Sequence, residues 1–175
     1  MVTACEIKKA LFAYFNYDEW AVFDELRLST GWVVNSTIDF FAMNLWPSKK
    51  YEKLAMEIKV SRSDFSREKS NLLKSMPSLS ICDKFYFVAP VGLLTIDDMP
   101  KWARLWEYDP TTKKMLDRPY CTVSGIGSLF VPSMAFVASI LNRQAKKERA
   151  ERNMEDDNEK ATRTRNPAVA RRGGC

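Results

Sequence analysis

The chain has 175 residues, 46% of them hydrophobic and 12% aromatic, enough for one domain of ordinary size with a buried core. It contains no histidine, which excludes Ser-His-Asp and Cys-His catalysis and any imidazole base, and its four cysteines, Cys5, Cys82, Cys121 and Cys175, form no Cys-x-x-Cys pair of the kind that holds zinc. Of the formal net charge of +5, +4 falls in 142–175, where ten Lys or Arg stand against six Asp or Glu, so the basic excess is mostly tail and is only weak support for nucleic-acid binding.

Reduced, structural cysteines are expected. No apolar run approaches the ~18 residues of a membrane span, and the start of the chain lacks the basic-then-apolar pattern of a signal segment. A soluble, cytoplasmic protein without a membrane partner follows as the expectation. Any chemistry has to rest on carboxylates, lysine and a metal ion.

Ile7, Leu11, Tyr14 and Phe15 recur at i, i+4, i+7 and i+8, which predicts an amphipathic helix over Ala4 to Phe15. Asn16 to Glu19 reads as a turn. In Trp20 to Leu28, Val22, Leu26 and Leu28 alternate with charged residues that include Glu25, favouring a strand over a short helix. Ser29-Thr30-Gly31 signals a turn. Trp32 to Asn44 is rich in β-branched and aromatic residues and reads as one strand, or as two with a break near Asn35-Ser36, with Asp39 set among apolar neighbours. Trp46 to Lys50 is a loop, and a hairpin there places the next strand, from Leu54, beside the previous one.

That next strand carries two charges in an apolar setting. Met56, Ile58 and Val60 share one face while Glu57 and Lys59 share the other. Burial of such charges must be compensated. The two can partly satisfy each other, and an oxygen-seeking cation such as Mg²⁺ gives Glu57 a stronger reason to be there. Ser61-Arg62-Ser63-Asp64 then offers helix N-cap residues, and a helix with Arg67, Lys69 and Lys74 is expected to run to Ser75 and end at Met76-Pro77-Ser78. Lys84 to Ala89 is a short apolar run of the kind buried on both faces of a sheet.

Beyond Pro90, Met99-Pro100 marks a short helix or turn, and Ala103 to Tyr108 followed by Asp109-Pro110-Thr111-Thr112 resembles a strand entering a β-turn, as an edge addition. Met134, Val137, Ala138 and Leu141 predict an amphipathic helix from Ser133 towards Arg149. From Glu151 onward large apolar side chains almost vanish and charges dominate, so 1–150 is expected to form the domain and 151–175 a disordered tail.

Ile38-Asp39, with Glu57-Ile58-Lys59 eighteen positions after the aspartate, closely resembles the PD-(D/E)xK phosphodiesterase signature, with Ile38 in place of the motif's proline. The element order is similar to that of this restriction-endonuclease-like superfamily, an α-β-β-β-α-β core over about residues 5 to 90. The stretches Glu57 to Phe65 and Cys82 to Pro90 resemble more specifically the MmcB-type proteins grouped as DNA-repair nucleases. The resemblance implies an α/β fold with a mixed central sheet flanked by helices, followed by the C-terminal helix and tail.

It further implies a Mg²⁺- or Mn²⁺-dependent nuclease acting on DNA through a metal-activated water. Asp39 and Glu57 are then carboxylate ligands, the Ile58 carbonyl a third oxygen, and Lys59 the group that orients the water or stabilises the anionic transition state. Glu25, with Asp24 adjacent, stands where many members contribute a further acidic residue, as a ligand or through water. Ser61, Ser63 and Asp64 are first of all helix caps, although the resemblance allows Ser61 a place at the edge of the site. Arg62, Arg67, Lys69 and Lys74 are candidates for phosphate contact, with a solvated helix face as the plain alternative. A competing function on the same fold is a nucleic-acid-binding or repair-accessory module that does not cut. The oligomeric state is left open, a homodimer included.

Overall fold

A computed structural model describes residues 2–28, 37–70 and 72–119 (backbone alone at 72–74), with Pro132, 136–138, 140–141, 143–144 and Met154. The expected disordered tail, Gly31 to Ser36, and Cys121 lie outside the described residues apart from Met154. Helix α1 spans Ala4–Tyr14 and opens on a capping box in which the Thr3 hydroxyl accepts from the Glu6 amide and the Glu6 carboxylate accepts from the Thr3 amide. An Asx turn at Asn16 reverses the chain: its Oδ1 accepts from the Asp18 amide and its carbonyl from the Trp20 amide.

Three strands follow, β1 (Trp20–Arg27), β2 (Thr37–Asn44) and β3 (Lys53–Ile58), then helices α2 (Arg62–Lys69) and α3 (Leu72–Ile81), then β4 (Lys84–Pro90), β5 (Arg104–Asp109) and β6 (Lys114–Met115). They build one six-stranded mixed sheet in the order β1-β2-β3-β4-β5-β6. The β1-β2, β2-β3 and β5-β6 pairs are antiparallel, and β3-β4 and β4-β5 are parallel. The chain is thus α/β, and the order helix, three strands, helix, strand agrees with the sequence expectation, with the middle helix divided in two. Among the described residues no helix is long and apolar enough to cross a membrane.

Strand alternation separates two cores. On one face Phe40, Ala42, Leu54, Met56, Tyr86 and Val88 meet Ile7 and Leu11 of α1 and Phe15 at its C-terminal end. Rings dominate there: Phe15 packs on Trp20, Phe40 and Trp106. On the other face Phe41, Ala55, Phe85 and Phe87 meet Phe65 of α2 and Leu79 and Ile81 of α3. The charged groups of β3 lie on this second face.

Two expectations are corrected. The helix after β3 was expected to end at Met76-Pro77-Ser78, yet α3 runs through Pro77 to Ile81. The break comes earlier, at Ser70, whose hydroxyl donates to the Ser66 and Arg67 carbonyls and closes α2. Pro77 forfeits one helical hydrogen bond, and burial of Leu79 (3% exposed) and Ile81 (5%) outweighs that loss. The C-terminal helical residues turn a different face inward from the expected Val137, Ala138 and Leu141. Phe136 is buried edge-on to Phe41 and Ile140 packs beside it, whereas Ala138 is exposed and Leu141 is 62% exposed. Both i, i+4 pairs are apolar, so periodicity alone did not choose between them.

Cys5 is exposed and Cys82 buried, both as free thiols. Burial, with the nearby Asp83 charge adding to it, pushes the Cys82 thiol up to about 12. Its neutral form is therefore a folded-state preference: this contribution is complete below the unfolded thiol value of ~8.5 and is lost as pH rises towards about 12. Iodoacetamide at neutral pH is expected to label Cys5 and to spare Cys82 until the chain is unfolded, read by peptide mass mapping. In the core, Phe136→Ala is expected to cost ~3 kcal/mol and Leu141→Ala under ~0.5 kcal/mol in urea unfolding. Equal effects would contradict the observed helix face.

Candidate active site

The β2-β3 register runs from Met43 opposite Lys53 to Phe40 opposite Met56. One further step sets Asp39 opposite Glu57, but there the ladder stops. In its place the Asp39 carboxylate accepts the Ile58 amide through Oδ2 at 2.8 Å, its only hydrogen bond among the described residues. The strands part at this end of the sheet, and a side chain takes over a bond that backbone pairing would otherwise make.

Glu57 and Lys59 both turn towards α2 and are nearly buried, 8% and 7% exposed. Lys59 Nζ lies 3.5 Å from Glu57 Oε2, and the Lys59 amide donates to the Val88 carbonyl at 2.8 Å, which extends the β4 pairing by one residue and holds the backbone of the lysine. A third charge joins them. Glu68 Oε2 of α2 is 3.6 Å from the same Nζ, and Glu68 is 6% exposed. Phe65 and Glu68, one helical turn apart, are the two buried residues of α2, and Phe65 packs edge-on against Phe87 of β4 at 5.1 Å. That contact aims Glu68 at the sheet.

Glu68 was not among the sequence candidates. A signal for it existed: it lies i+3 from Phe65 on the helix face that must pack, where an unpaired acid is costly. Its partner could be named only once α2 was laid across β3.

Glu25 sits elsewhere. The β1-β2 register, Asp24 with Phe40 and Leu26 with Ile38, aligns Glu25 with Asp39, but its φ of 48° interrupts the ladder. Its carboxylate bonds Lys8 of α1 at 2.7 Å, on the opposite side of the sheet from α2, with the side chain 66% exposed. The Lys8 ammonium holds the Glu25 carboxyl below its ordinary range, chiefly through that hydrogen bond. Asp24 pairs with Arg143, which also donates to the Glu25 carbonyl. The structure thus brings Glu57, Lys59 and Glu68 together, sets Asp39 beside them through the backbone of Ile58, and leaves Glu25 of β1 paired with Lys8 of α1.

The candidate phosphate contacts have structural partners. Ser61 is the N-cap of α2, its hydroxyl accepting from the Asp64 amide at 3.2 Å and sharing a bond with Ser63. Arg62 donates to the Leu93 carbonyl at 2.9 Å and forms a fork with both oxygens of Asp98, tying α2 to the β4-β5 connection. Arg67 pairs with Asp64 and stays 79% exposed, and Lys69 lies over the Phe65 ring at 5.8 Å. The side chain of Lys74 lies outside the described residues.

Among the described residues no group of three or more acidic or cysteine side chains is arranged to hold a metal ion. The oxygens at this corner are of the kind a hard cation takes: the Asp39 carboxylate, which makes no hydrogen bond through Oδ1 among the described residues, the Glu57 carboxylate, and the carbonyl of Ile58, the residue after Glu57. Glu57 would have to yield its contact with Lys59, which at 3.5 Å is a long one for an ion pair.

No protein-family model matches the sequence, and neither does any curated protein. Among solved structures, the chain is similar to a protein of unknown function from Silicibacter pomeroyi, with a TM-score of 0.57 at 15% identity over 89% of this chain and 94% of that one. This is a likeness of fold.

Asp39 also has a structural duty that can be measured. Asp39→Ala leaves the Ile58 amide without its acceptor and is expected to destabilise the fold by ~1–3 kcal/mol, whereas Asp39→Asn keeps an accepting oxygen and costs less. Urea unfolding midpoints of the two variants check this, and equal values would show that the bond to the Ile58 amide contributes nothing to stability.

Proposed function

We propose that the chain is a Mg²⁺- or Mn²⁺-dependent nuclease of the restriction-endonuclease-like, PD-(D/E)xK type that hydrolyses DNA phosphodiester bonds, in the manner suggested by its resemblance to MmcB-type proteins. The observation that carries this is the pairing of Glu57 and Lys59 in a nearly buried position on one face of an interior strand, with Asp39 one register step beyond the β2-β3 ladder. Charge of this kind is rarely kept inside a sheet for stability alone, since an apolar pair of similar volume does as well or better.

Asp39 and Glu57, with the Ile58 carbonyl, are the residues to hold the cation. When bound, it supplies an ionised water nucleophile near neutral pH and positive charge against the phosphoryl oxygens. Lys59 keeps its ammonium at the same edge, where it orients the nucleophile and stabilises negative charge as it builds on phosphate. Held at its backbone by Val88, Lys59 needs little reorganisation to do this.

A second function is favoured by a specific observation. In the structure Lys59 is already enclosed by two carboxylates, and no three-acid group stands ready for a metal among the described residues. A module that binds nucleic acid on the same fold without cutting it is consistent with that closed arrangement.

Incubation with single-stranded, duplex and branched DNA in Mg²⁺ or Mn²⁺ separates the two. Cleavage is expected with wild type, to be abolished by chelation, and to fall by ~10²–10³-fold in Lys59→Ala, as when one transition-state donor is removed. Asp39→Asn is expected to be inactive while staying folded. Affinity for DNA that persists in chelator, without cleavage of any substrate, would instead support the binding module.

A further inference from the structure

Two carboxylates stand beside the one ammonium of Lys59. Glu57 Oε2 and Glu68 Oε2 stand at 3.5 and 3.6 Å from its Nζ, on side chains exposed by only 11% and 7%. The two carboxylates are held by different elements. Glu57 belongs to β3, one register step beyond the ladder where the strands part, and also counts among the oxygen donors for a cation. Glu68 belongs to α2 and is anchored through Phe65 on Phe87.

We propose that Glu68 is a positioning residue, the standing counter-ion of Lys59 that frees Glu57 for a divalent cation. The proposal rests on the metal-dependent reading above. Without metal, Lys59 is shared between both carboxylates. Turning the Glu57 oxygen to a cation withdraws it from Lys59, and a nearly buried ammonium with no carboxylate beside it is strongly disfavoured. Glu68 keeps Lys59 paired and aimed during that exchange, so the site passes from a closed ion cluster to a loaded state with the ammonium still beside a carboxylate. Its effect on metal affinity is thereby exerted through Lys59, with no contact to the metal required.

Calorimetric titration of the full chain with Mn²⁺ tests this, since it requires no turnover. Wild type is expected to bind, and Glu57→Gln to lose binding. Glu68→Gln is expected to weaken Mn²⁺ binding ~10-fold, while in the Lys59→Met background the same change has less than a ~2-fold effect, because the ammonium that Glu68 serves is gone. Equal weakening in both backgrounds would make Glu68 a metal ligand or a remote charge, and no weakening in either would make it a bystander; each overturns the proposal. Wild type that binds no Mn²⁺ would overturn the metal-dependent function itself. Should Glu68→Gln fail to fold, Glu68→Asp preserves the charge on a shorter arm, and a loss of ~3-fold that disappears with Lys59→Met carries the same comparison.

Discussion

The constraint on which the rest of the structure depends is the burial of Glu57 near the end of β3 and of Lys59 immediately beyond it. This strand is paired on both edges, by β2 and β4, and Leu54 to Ile58 are buried along it. Two charges in such a strand are tolerable only if another element closes over them with polar groups of its own. Helix α2 does this. Its N-cap at Ser61 starts it two residues after Lys59, and Phe65 and Glu68 set its packing face, one filling the apolar core and the other meeting the ammonium. Arg62 then clips the outer side of α2 to Asp98 and Leu93.

The two faces of the sheet consequently differ in chemistry. The α1 face is a closed aromatic packing in which Phe12, Phe15, Phe40 and Trp106 meet ring on ring. Dense packing of this sort resists displacement of the strands. The α2 face combines an apolar floor with the charged cluster at the end where β2 and β3 part. Asp39 stands at that parting and bonds the backbone of Ile58, so the position of one carboxylate is tied to the strand that bears the other. The Ile58 backbone is fixed by that bond, and the 3.5 Å contact between Lys59 and Glu57 pairs the two charged side chains beside it.

Much of this was legible in the sequence. The strand carrying Glu57 and Lys59, the buried run from Lys84, the first helix and the capped helix after β3 all stand where alternation, apolar continuity and capping residues placed them. What was misjudged shares one physical origin. Pro77 looked like a terminator, but Leu79 and Ile81 had a core to enter. Phe136 with Ile140, and Val137 with Leu141, are equivalent as patterns, and only the Phe41 ring distinguishes them. Glu25 aligns with Asp39 in register, yet a left-handed backbone and the reach of Lys8 take its carboxylate to the α1 layer.

By itself, then, the sequence determined the local elements and the residues able to do chemistry, because strand alternation and helix caps are properties of neighbours along the chain and the absence of histidine is a property of its composition. It also showed that Glu57 and Lys59 share a face. Tertiary structure alone decided which charges meet. Glu68 joins Lys59 across eight intervening residues because α2 folds back over β3, and Glu25 leaves the acidic row because α1 carries a lysine to it. Side-chain pairing between elements depends on how those elements cross, and that is set by packing of the whole core and not by any local pattern.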